Sequence, residues 1–89
     1  MTRNQQYKKL IEKFGIENQI IIAVEELSEL QKELCKYLRG KHNIVELSEE
    51  MADVKIMFEQ LEFIFSNKTL VEEIITKKIE RTEERYLKE

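Results

Sequence analysis

Eighty-nine residues with no proline, 42% hydrophobic and 37% charged, at a net charge of −3, describe one small, almost wholly helical domain spanning residues 1–89 and exclude a disordered tail. Acids and bases are interspersed, so there is no broad basic field for a nucleic-acid polymer or an anionic membrane. The lone Cys35 excludes an internal disulfide, the N-terminal MTRNQQYKKL lacks the apolar core of a signal peptide, and no apolar run nears the roughly 20 residues that span a bilayer; a cytoplasmic location is expected.

Tyr7, Leu10, Ile11 and Phe14 recur at helical spacing, with Asn4 available as a cap and Gly15 just past the end, which predicts a short first helix. A second helix is expected from about Glu17 to Arg39, with Ile20, Ala23, Val24, Leu27, Leu30, Leu34 and Leu38 as its core stripe and Gly40 as its stop. Asn43 with Glu46 reads as a capping box opening a third helix, lined by Leu47, Met51, Val54, Phe58, Leu61 and Phe65. Asn67 is expected to end it. Thr69 with Glu72 repeats the capping signature for a fourth helix, whose apolar stripe is Val71, Ile75, Ile79, Thr82 and Tyr86.

Helices two and three are apolar beyond one stripe, through Ile20 to Val24 and through Val45, Ala52, Ile56 and Phe63. A helix that is apolar on two sides is buried on two sides. A chain this short buries only about 60% of its unfolded surface. Both arguments predict a homodimer, or a dimer of dimers, through helices two and three.

Two acidic pairs interrupt the apolar pattern: Glu26 and Glu29 within EELSE, and Glu50 and Asp53 within EEMAD, each at i, i+3 and therefore on one helix face. They lie at nearly equal distances on either side of Gly40, so an antiparallel turn there brings four carboxylates to one level. At about 100° per residue, Glu50 falls about 40° from Val54, inside the core-facing sector, and Glu26 about 100° from Leu27, on the shoulder of its stripe. Buried like charges require protonation, pairing or a cation. All-oxygen ligation favours Mg²⁺, with Mn²⁺ as a substitute. Glu33, Glu62, Glu83 and Glu84 read instead as a solvated face. The single histidine, His42, sits in the turn, which removes a di-iron bundle built on Glu-x-x-His. Along the fourth helix Lys78, Arg81, Arg85 and Lys88 form a basic line that either complements the helix C-terminus or holds the phosphates of a nucleotide.

EELSE followed by EMAD resembles the E-E-x-x-E, then E-x-x-D, signature of the MazG-like all-α nucleoside triphosphate pyrophosphohydrolases, and looks most like their short, phage-type single-domain members. The similarity runs through KFGIENQIIIAVEELSELQKELCKYLRGK and NIVELSEEMADVKIMFEQLEFIF to KKIERTEERY. It implies a four-helix MazG-like protomer, with antiparallel helices two and three carrying the acids, completed by dimerisation. It implies hydrolysis of an NTP or dNTP between the α and β phosphates, an activity that would suit nucleotide-pool house-cleaning. Glu26, Glu29, Glu50 and Asp53 would hold Mg²⁺, and Glu25 and Glu29 would orient or deprotonate water. Lys78, Arg81 and Arg85 would contact phosphates. Gln19 would reach base or sugar, and Ile22 and Tyr37 would wall the nucleoside. Phosphoribosyl-ATP pyrophosphohydrolase is a lesser enzyme alternative, since VKIMFEQL after EMAD lacks that branch's histidine. A non-catalytic helical homodimer, acting as a nucleotide sensor or a protein-interaction module, is the alternative outside catalysis.

Overall fold

A computed structural model describes residues 1–41 and 43–87. It contains four α-helices, α1 (Arg3–Phe14), α2 (Ile16–Leu38), α3 (Ile44–Phe65) and α4 (Lys68–Tyr86), and no strand among the described residues. His42 and Lys88, each named above, lie outside the described residues.

The helix ends explain themselves locally, and three of them correct the sequence expectation. The cap of α1 is Thr2 and not Asn4: the Thr2 hydroxyl accepts from the Gln5 amide at 3.1 Å, and the Gln5 side chain accepts from the Thr2 amide at 2.7 Å. This reciprocal box satisfies two orphan donors at once. At the end of α2, Gly40 takes φ +73°, and the amides of Gly40 and Lys41 donate to the carbonyls of Tyr37 and Lys36 at 3.0 and 2.9 Å. Those two bonds form a Schellman turn, with glycine where a left-handed conformation is needed. Asn43 then caps α3, its Oδ1 accepting from the amides of Val45 and Glu46. At the far end Ser66, in the left-handed region at φ +50°, terminates α3, while Asn67 opens α4. Thr69 therefore lies inside the first turn of α4 and caps nothing.

α2 and α3 pack antiparallel along their lengths, and α1 lies against both. Arg3 Nη1 meets Glu59 at 3.2 Å, and the Tyr7 hydroxyl donates to the same carboxylate at 2.6 Å, pinning α1 to α3. α4 buries no residue and packs against no other helix along its length. The radius of gyration is accordingly 16.3 Å, against about 12 Å for a compact domain of this length.

The core stripes are only partly those expected. Alongside the half-buried Ile20, Leu47, Val54 and Leu61 of the expected stripes, α2 and α3 enclose or half-enclose Gln19, Ala23, Glu26, Leu30 and Glu33 opposite Glu50, Asp53, Met57, Gln60 and Ile64. Both strings step by alternating fours and threes, the seam spacing of paired helices. The large apolar side chains point elsewhere: Leu27, Leu34, Leu38, Met51, Phe58 and Phe65 are all exposed, Leu38 by 82%.

Candidate functional site

The seam brings three of the expected carboxylates together. Glu26 from α2 and Glu50 and Asp53 from α3 each offer an oxygen, and these oxygens lie within 4.8 Å of one another in partly buried positions. Glu26 shares a hydrogen bond with Asp53. Burial, then that bond and the charges of Asp53, Glu50 and Glu29, hold the Glu26 carboxyl above the usual range. Burial, followed by the charges of Asp53, Glu29 and Glu33, raises that of Glu50 in the same direction. One Glu50 oxygen, Oε2, is enclosed without a hydrogen-bond partner.

Glu29, one turn further along α2, is exposed and stands outside this triad, although its charge acts on both Glu26 and Glu50. Glu25 is exposed as well. Glu33, expected to be solvated, is instead buried, with Lys36 Nζ at 3.0 Å from its Oε1. The spacing could have found it: Glu33 follows Glu26 by seven residues, two turns along the same seam.

Gln19 is also placed differently from the expectation of base or sugar contact. It is 4% exposed and donates through Nε2 to Oε1 of Gln60 at 2.7 Å; Gln60 is 2% exposed. Gln60, seven residues after Asp53, drew no attention in the sequence because an amide among apolar neighbours has no motif of its own. Gln19 pairs with Gln60 and Glu26 with Asp53 symmetrically about the α2–α3 turn, so both contacts report one register.

The basic line of α4 is not brought to the triad within one chain. Lys78, Arg81 and Arg85 are exposed on a helix that does not pack against the seam. Ile22 is half-buried and Tyr37 exposed. A cleft of about 700 Å³ opens between α3 and the start of α4, lined by Val54, Phe58, Phe63, Asn4, Lys68 and Glu72, and a second of about 600 Å³ lies beside Tyr7 and Ile56. Neither includes a triad acid.

At the α1 contact, burial and the bond to Glu59 push the Tyr7 hydroxyl up to about 12. The Tyr7 bond, with help from Arg3, lowers the Glu59 carboxyl. This cluster fastens helices together and contains no acid of the two motifs.

Three clustered carboxylates, one with an unpartnered enclosed oxygen, form a hard, anionic donor set that a divalent cation fits. No family model, curated protein or solved structure matches this chain.

Proposed function

We propose that this chain is a Mg²⁺-dependent nucleoside triphosphate pyrophosphohydrolase of the MazG-like kind, converting an NTP or dNTP to a nucleoside monophosphate and pyrophosphate. The observation that carries the reading is the convergence of Glu26, Glu50 and Asp53 from two helices onto one point of the seam. Glu26, Glu50 and Asp53 would hold the cation, with Glu29 at its solvent side. Mn²⁺ would serve in its place. Bound there, the cation supplies neutralisation of polyphosphate charge and acidifies attacking water. Glu25 and Glu29, exposed beside the triad, are the acids available to take the water proton. Attack at the α-phosphorus breaks its bond to the bridging oxygen, and that electron pair leaves with pyrophosphate. Lys78, Arg81 and Arg85 would hold the outer phosphates once α4 meets a seam, its own or that of a second chain.

A homodimer belongs to the same proposal. Leu27, Leu34, Met51 and Phe58 lie exposed around the helices whose polar sides already face each other. Fully burying one such side chain contributes about 1.5–3 kcal/mol, and a second copy offers the same surface.

A second reading, a nucleotide sensor or interaction module without turnover, is favoured by the separation of the basic line from the triad and by the lack of triad acids in the two clefts beside α3. Incubation with an NTP and Mg²⁺ in H₂¹⁸O separates the readings. The enzyme places the label in the monophosphate, visible as an isotope-shifted ³¹P resonance. Nucleotide that binds but is recovered intact supports the sensor, and label in inorganic phosphate overturns cleavage at the α-phosphorus.

A further inference from the structure

Gln19 and Gln60 are the two most enclosed polar side chains among the described residues, and the proposed chemistry uses neither. Their contact is costly to keep: Gln19 Oε1 is enclosed with no partner, so an apolar pair of similar volume would suit that layer better on burial alone. What an amide pair adds is direction. Two turns away along α2 and one layer of Ala23 and Met57 apart, the triad is a layer of mutually repelling acids. Its neighbour Leu27, 53% exposed, sits about 100° around α2 from Glu26. Rotating α2 against α3 would release Glu26 to solvent and turn that apolar side chain inward. Ala23 is too small and Met57 too adaptable to resist such a rotation, whereas the 2.7 Å amide bond specifies both level and facing.

We infer that the Gln19–Gln60 pair is a positioning clamp that holds the polar faces of α2 and α3 inward and level, so that Glu26, Glu50 and Asp53 converge. It acts through helix orientation and touches no substrate. Its geometric consequence is independent of the proposed activity; its effect on a cation rests on the triad being a cation site.

The test is the full-length Gln19→Leu/Gln60→Leu double variant. Helix orientation is read by electron–electron double resonance between nitroxides on Lys32→Cys and Lys55→Cys in a Cys35→Ser background, diluted with unlabelled protein so that only distances within a chain are seen. Mn²⁺ affinity is read by calorimetry on the unlabelled proteins. The clamp predicts an undiminished thermal midpoint, a displaced or broadened distance distribution, and Mn²⁺ binding weakened by at least about tenfold, the scale on which loss of an orienting contact acts on a metal site. An unchanged distance distribution overturns it, as does unchanged affinity where the parent binds Mn²⁺. A parent that binds no Mn²⁺ refutes the cation site alone and leaves the distances to decide the clamp. If the leucine pair does not fold, the Gln19→Met/Gln60→Met pair replaces it; failure of that pair to fold as well overturns the clamp, because the amides then serve stability rather than orientation.

Discussion

Glu50 carries the clearest conflict at the residue scale: its carboxylate is drawn into the seam, meets two other acids, and leaves one oxygen without a partner. The pH dependence follows from the direction of the shifts. Glu26 and Glu50 titrate above the ordinary value of 4.5 in the folded chain, so the fold binds their protons more tightly than the unfolded chain does. The stability they contribute is full below 4.5 and is lost as pH rises through their raised values. Glu59 is shifted the other way, so its contribution is present above 4.5 and is lost as pH falls through its lowered value. Calorimetry without divalent cations should therefore show a thermal midpoint that declines on the alkaline side of 4.5, with a shallower decline and a higher midpoint near neutrality in Glu50→Gln. A midpoint indifferent to that substitution would mean that Glu50 is not strained. These acids were legible in the sequence because two pairs broke the apolar pattern at matched distances from one glycine. Glu33 and Gln60 were not, because the eye follows bulky apolar residues, and both sit on a seam that is largely polar.

The turns decide the next scale, because the register of α2 on α3 begins at Gly40. Its φ of +73° is a conformation that a side chain resists, while a Cβ there would meet nothing within 4 Å. Gly40→Ala should therefore cost about 1 kcal/mol through the backbone alone, measured by urea unfolding, with the same slope and no change in helix content. A neutral result would contradict the role of the Schellman turn. The existence, order and approximate limits of all four helices were readable from periodicity and punctuation. Their caps were less so. Asn4 and Thr69 have capping chemistry, yet Thr2 and Asn67 stand where each chain segment turns; Thr2 is fixed there by its reciprocal bonds with Gln5, while Asn67 holds the cap position with no side-chain bond to the helix. Facing was legible only in part: Val54, expected at the centre of its stripe, is half-buried, whereas Leu27, expected at the centre of the other, is 53% exposed. Hydrophobic size identifies which faces need covering and does not say which one is covered within a single chain.

The whole molecule is more extended than its length requires, with α4 standing away and an apolar surface around the α2–α3 pair. No helix among the described residues is long and apolar enough to cross a membrane. The proposed second copy would cover both, and sedimentation should then find a dimer that Leu27→Lys/Leu34→Lys converts to monomer; a monomeric parent at micromolar concentration would contradict it. Pyrophosphate release is the readout of the proposed chemistry. Wild type and Glu50→Gln are compared over a panel of canonical and modified NTPs and dNTPs, with Mg²⁺ and with EDTA. The expected outcome is Mg²⁺-dependent release of monophosphate and pyrophosphate, abolished by EDTA and reduced by at least about a hundredfold in Glu50→Gln, beyond the loss typical of supporting contacts at a metal site. Folded wild-type protein that is silent across the panel, or turnover that survives the substitution, would contradict it.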